Sequence, residues 1–296
     1  MNTLGLPAIL TGFVIVQLAL AGLLAFARWQ GRERPPATGK LLRSPGEHQG
    51  ARLDFLGAQA CWLLLATSFV PLLIFLLGAL ALSGRPAEEH SLTAPILIIV
   101  GSVLAAGTGG YFLHLTLAER RCRVRALQGH RIIDDSLAAL IPAGFKIFHD
   151  IPTTPNNPDE NLHHLVIGPS GIFAIEANTP ANRPAIPGRK PQEIVYDGEQ
   201  LIYPWGQDAL GLVPTRRKAE WLSEWIYQLV GERLPINAVL TFPGWWVTST
   251  AVRDIRVFNP NQLAALILQA PLGGPGEHTR NLLVRHLEIR CRDIEA

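Results

Sequence analysis

The chain has 296 residues, a net charge of +2 and a charged fraction of 17%, below the roughly 25% of an average soluble domain, with a mean hydropathy of +0.20. That balance gives no strong electrostatic footprint for nucleic acid and fits a chain partly dissolved in lipid. The three cysteines, Cys61, Cys122 and Cys291, lie too far apart for a zinc motif or a disulfide framework and read as free thiols.

Three uncharged stretches account for the hydropathy. Thr3 to Ala27, Leu56 to Ser83 and Ala94 to Ala118 are each long enough for the roughly 20 residues of a spanning helix. Ala25-Phe26-Ala27 has the form of a signal cleavage site, but the amino end has no basic stretch and Arg28 follows at once, so an uncleaved anchor is expected. Arg28, Arg32, Arg34, Lys40, Arg43 and Arg52 follow the first stretch. Arg120, Arg121, Arg123 and Arg125 follow the third, whereas the loop between the second and third has only Arg85 beside Glu88 and Glu89. Basic residues stay in the cytoplasm, which puts the amino terminus outside and the C-terminal domain inside a bacterial inner membrane. No charged residue interrupts the spans, which argues against transport.

Residues 1–120 are thus expected to form a membrane region and 121–296 a cytoplasmic domain. Its helix from Val124 to Leu140 places His130, Ile133, Leu137 and Leu140 on one inward stripe. A strand at Phe145 to Asp150 precedes a hairpin, in which Leu162–Ile167 and Ile172–Ile175 flank the turn Gly168-Pro169-Ser170-Gly171 and Glu176 ends the second strand. A Pro-rich loop, Thr179 to Pro191, leads to strands at Glu193–Tyr196 and Gln200–Tyr203. A long helix from Gly206 to Val230 is expected to begin at Gln207 and bury Leu210, Val213, Trp221, Leu222, Trp225 and Leu229, with Arg216-Arg217-Lys218 as a solvated face. A strand at Ala238–Phe242, then a smaller strand and helix, complete an α/β order.

The order and spacing of these motifs resemble the nuclease-related domain, NERD, a branch of the PD-(D/E)XK nuclease superfamily. Its pattern is Gly-Glu on a helix, Ile-Asp-His on a strand, a Gly-Pro-x-Gly turn, Glu-x-Lys and a later glutamine. Gly129-His130, Leu162-His163-His164, Gly168-Pro169-Ser170-Gly171, Glu176-Ala177-Asn178 and Gln207 fall on these in turn, and the resemblance runs from Leu127 to about Thr248. It implies a restriction-endonuclease-like mixed sheet flanked by helices, preceded by three transmembrane α-helices.

The resemblance also implies that the positions of Glu176, His163, Asn178 and Gln207 correspond to the family's catalytic site, where paired acids hold a divalent cation and a lysine activates water. Here His163 stands for the acid, Asn178 for the lysine and His130 for the helix glutamate, so the expectation is a catalytically degenerate domain acting as a nucleic-acid-binding or interaction module. One alternative is an active metal-dependent nuclease in which His130, His163 and Glu176 hold manganese or zinc rather than magnesium, with Asp134 one turn after His130 as a further oxygen ligand. His149 and His164 are weaker candidates, because alternation along the strand points His164 away from His163. Another alternative is a scaffold that binds a protein partner through Trp221, Trp225, Trp245 and Trp246, if these are exposed together. DNA or RNA would meet Arg183, Arg189 and Lys190 in the loop after the hairpin, and the lipid bilayer is a partner throughout.

Overall fold

The computed structural model describes residues 40–83, 92–154, 157–251, 253–292 and 294–295. The expected first span, Thr3 to Ala27, lies outside them. Among the described residues two helices are long and apolar enough to cross a membrane: α1 (Glu47–Ser83) and α2 (Thr93–Ala138). They contain the second and third apolar stretches. By contacts the chain divides into a unit holding Leu53–Arg121 and a second unit made of Pro36–Arg52 with Cys122–Ala296.

The second unit is mixed α/β. Its strands are β1 (Lys40–Leu41), β2 (Lys146–Ile151), β3 (Leu162–Gly168), β4 (Gly171–Ala177), β5 (Glu193–Tyr196), β6 (Leu201–Tyr203), β7 (Gly206–Asp208), β8 (Ile236–Thr241), β9 (Trp246–Ser249), β10 (Ile255–Phe258) and β11 (Ile294–Glu295). Three further helices are α3 (Leu212–Val230), α4 (Pro260–Gln269) and α5 (Glu277–Arg290). The main sheet has the order β10-β8-β4-β3-β2: β2, β3 and β4 are antiparallel, and β4, β8 and β10 run parallel. A second sheet has the order β7-β6-β5-β9, and β1 pairs with β11.

The hairpin is antiparallel and tight, with Gly168 opposite Gly171 and His164 opposite Ile175. Gly171, at φ 146°, takes a backbone conformation that side chains disfavour. Strand alternation then divides the core in two. On one face Leu165, Ile167, Ile172 and Ala174 pack with Leu222 and Ile226 of α3 and Leu283 and Leu287 of α5. On the other, Val166, Phe173, Ile175 and Val239 pack with Ile133 and Leu137 of α2 and Leu263 and Ile267 of α4. The stripe read on the helix, His130, Ile133, Leu137 and Leu140, is buried throughout.

Helix α3 departs from expectation. It begins at Leu212, because Gly206-Gln207-Asp208 forms β7 instead, paired to β6. Leu210 and Val213 are exposed, and Trp221 and Trp225 are half-buried. The buried stripe is Leu212, Thr215, Lys218, Ala219, Leu222 and Ile226, spaced three and four apart, and a lysine is one of its members. The helix stops at Gly231, whose left-handed φ of 73° lets its N–H reach the Tyr227 carbonyl.

Candidate functional site

Glu176 is the last residue but one of β4, on the face that α3 covers. Its Oε1 accepts from the backbone N–H of His163 at 3.0 Å, and its Oε2 accepts from Lys218 Nζ at 2.6 Å. Both side chains of that ion pair are 6% exposed. Burial pushes the Glu176 carboxyl above its ordinary range, and the Lys218 charge and hydrogen bond, the His163 N–H and His48 draw it back only in part. Together with His163, Asn178, Thr215 and the rim residue Asp159, the pair lines a cleft of about 300 Å3. The cleft's other wall is the amino end of α3, from Gly211 to Thr215.

His163 is held in one tautomer. The Ala177 N–H donates to its Nδ1 at 3.0 Å, which makes Nδ1 an acceptor and leaves the ring proton on Nε2. Burial, then the charge of Lys218 and the neighbouring histidines, keep its pKa well below the ordinary histidine value, so the ring is neutral.

The opposite face of the hairpin holds a string of imidazoles. His164 is fully buried; its Nε2 lies 3.1 Å from His130 Nδ1, and its Nδ1 lies 2.9 Å from His149 Nδ1. His149 Nε2 in turn meets Asp134 Oδ1 at 3.2 Å. Because a neutral imidazole has one donor and one acceptor, each hydrogen bond in the string ties the tautomer of one ring to that of the next. Burial lowers His130 to about 4, helped by His48, Lys218 and His149 against the pull of Asp150; burial also takes His164 well down.

A further group comes from the first turn of α1. His48 donates to Asp150 through its backbone N–H at 2.8 Å and meets the same carboxylate through Nδ1 at 2.6 Å, while Asn161 Nδ2 donates at 3.0 Å. Burial raises the Asp150 carboxyl, but the His48 bonds and charge, with Asn161, bring it below its usual range. Asp150 sits at φ 53°, strained for a residue with a side chain. The His48 ring lies 6.2 Å from both His130 and His163.

Of the residues expected at the site, His130, His163 and Glu176 do converge: the His130 and His163 rings are 4.6 Å apart, and His163 Nδ1 is 3.3 Å from Glu176 Oε2. They are not arranged as ligands. The Nδ1 lone pair of His163 is taken by Ala177 and its Nε2 carries the proton, while both oxygens of Glu176 are committed. Among the described residues no group of three or more His, Cys, Asp or Glu is placed to hold a metal ion. Asp134 goes to His149 instead. Magnesium, which wants several oxygen ligands, fits this single pinned carboxylate poorly.

Asn178 lines the cleft, with Nδ2 close to Gly211. Gln207 lies exposed on the edge strand β7, outside the cleft lining, because α3 starts five residues later than expected. Of the loop cations, Arg189 is tied to the Tyr203 and Gly206 carbonyls, Lys190 pairs with Glu193 at 3.3 Å, and Arg183 lies over Trp205. In the run read as a solvated face, Arg216 pairs with Asp254 and Arg217 with Glu160, but Lys218 turns inward. Of the four tryptophans named for a partner surface Trp246 is exposed, Trp245 is buried, and Trp221 and Trp225 are half-buried and stacked on each other, with ring centroids 6.3 Å apart.

Sequence reasoning missed Lys218, His48 and Asp150. Helical spacing from Thr215 and Leu222 carried a signal for Lys218; nothing local carried one for the others, which meet across about a hundred positions. No curated protein and no solved structure matches the chain. Residues 125–243, from the last turns of α2 through the hairpin and α3 to the end of β8, match the family model of the nuclease-related domain.

Proposed function

We propose that this chain is a membrane-anchored, nuclease-related protein whose cytoplasmic domain grips a nucleic-acid backbone in the Glu176–Lys218 cleft without cutting it. The observation that carries this reading is the commitment of both Glu176 oxygens, one to Lys218 and one to the His163 N–H. A metal-dependent nuclease needs a carboxylate pair free to hold a cation beside the scissile phosphate. Position 163 supplies a neutral imidazole and position 176 a carboxylate already neutralised by a lysine. What remains suits holding a phosphodiester: the Asn178 amide, the Nε2 proton of His163 and the positive end of the α3 dipole.

The anchor in this reading comprises α1, α2 and the Thr3–Ala27 stretch, in the inner membrane, with the amino terminus outside. The test uses the full-length chain in detergent micelles with magnesium and labelled DNA or RNA. Binding without cleavage is expected, with affinity reduced about tenfold by Asn178→Asp, which sets a second negative charge beside the phosphate. Magnesium-dependent cleavage abolished by Glu176→Ala would overturn the reading. Manganese- or zinc-dependent cleavage lost in both Glu176→Ala and His163→Ala would replace it with the histidine–glutamate nuclease.

A further inference from the structure

A second cavity, of about 280 Å3, lies beyond the carboxyl ends of β4 and β8. Thr179 and Pro180 follow β4, Pro243, Gly244 and Trp245 follow β8, and the last turns of α2 close the far side. In open α/β sheets the crevice outside the carboxyl ends of parallel strands is where ligands bind. The first cleft takes Asn178, and this cavity takes Thr179, the very next residue.

Several of its polar side chains stand outside the protein's own bonding network. Gln128, Asn182 and Gln192 present carboxamides that make no hydrogen bond among the described residues. Arg125 has no carboxylate partner there either; its only bond is to the Cys122 thiol sulfur, and its Nε is buried without an acceptor. The apolar part of the wall is Ile132, Pro243 and Trp245, the last clamped by Asn259 on its carbonyl. Gln192 is held at φ 63°, a left-handed conformation that a glutamine reaches only at a cost. Trp246 N donates to its carbonyl at 2.9 Å, which fixes the strained residue at the cavity wall.

We propose that this cavity is a nucleotide pocket, which takes one unpaired nucleotide next to the phosphate held in the Glu176–Lys218 cleft. Carboxamides both donate and accept, as the edge of a base requires; a guanidinium without a carboxylate is free for phosphate; and the Pro and Trp wall suits a flat ring. A paired base is not accessible to such a pocket, so the chain should prefer single strands. The inference rests on the nucleic-acid reading above and adds to it a site and a substrate form.

The test is fluorescence anisotropy on the full-length chain in lipid nanodiscs, with a short labelled single strand, a blunt duplex of the same sequence and adenosine monophosphate as competitor. Gln192→Gly is the informative variant, because glycine is at ease at this φ and the fold is kept while the carboxamide is lost. Single-strand affinity should fall about tenfold in Gln192→Gly and similarly in Asn182→Ala, with the melting temperature of Gln192→Gly unchanged or raised. Competition by the monophosphate that these variants abolish identifies a free nucleotide as an occupant; binding of the strand without such competition identifies a strand nucleotide. If both variants bind the single strand like wild type while Asn178→Asp weakens it, the pocket is refuted and the cleft reading stands. Equal affinity for duplex and single strand in wild type also refutes the pocket. No binding of any nucleic acid by wild type defeats both.

Discussion

At the scale of single residues, the pairing of Lys218 with Glu176 decides what this domain can do. Removing one partner leaves an uncompensated buried charge, so Lys218→Met is expected to cost about 3–5 kcal/mol, with most of that restored in Lys218→Met/Glu176→Leu. Denaturant unfolding of the three proteins checks this, and a single variant as stable as wild type would refute it. The histidines make a second prediction. An unfolded chain protonates them as the pH falls through 6.5, whereas the folded chain holds out to about 4 at His130, and to well below the ordinary value at His163 and His164. The unfolded state therefore binds more protons in that window, and stability falls with pH across it. Glu176, raised by burial, works the other way as the pH drops toward its unfolded value of 4.5, but it is one group against three. The melting temperature should fall from pH 7 to pH 5 and fall less in His164→Asn; a flat profile would sink the account. His163 and Glu176 were legible in the sequence because the Gly-Pro-Ser-Gly turn fixes their register. Lys218 was legible only to a reader who let a charged residue sit on a buried stripe.

At the scale of elements, the hairpin shows why some of the fold could be read and some could not. Its alternation, its turn and its terminal carboxylate are local, and they appear as β3 and β4 with the expected bounds almost unchanged. The start of α3 was misplaced because Gly206-Gln207-Asp208 has no local mark of a strand; it becomes one by pairing with β6. The turn also has a tertiary clamp. Gly274, between α4 and α5, donates its N–H to the Pro169 carbonyl at 3.0 Å, and any side chain there would run into the Gly168 carbonyl, which is backbone and cannot turn away. Gly274→Ala is accordingly expected to destabilise the domain by about 1–3 kcal/mol, the usual range for overpacking, and a melting temperature equal to wild type would count against the clamp. Gly144 has open space around it, although its positive φ strains any substitution; Gly206 has neither constraint, so Gly206→Ala serves as the control.

At the scale of the whole molecule, the uneven placement of basic residues around the apolar stretches predicts an orientation. A reporter fused after Ala296 should show cytoplasmic activity and one inserted after Glu88 should report the periplasm; the reverse pattern would overturn the proposed topology. The composition announced the membrane-length helices, because a span needs only length and hydropathy. It did not announce that the residues between Pro36 and Arg52 belong to the same unit as those after Cys122. That membership rests on β1 with β11, on the Arg43 N–H to the Cys291 carbonyl and on His48 against Asp150. The order of synthesis follows. Lys40 to Gln49 leave the ribosome long before β11, and both apolar helices are made in between, so the early segment must wait, unpaired, until its partners are translated. A fragment cut to begin at Cys122 would never receive it: β11 would be an open edge, and the Asp150 carboxylate would lose both bonds to His48 and keep only the one from Asn161. Expression of that fragment should give a less soluble, more protease-sensitive protein, cured by supplying residues 36–52 on a short linker.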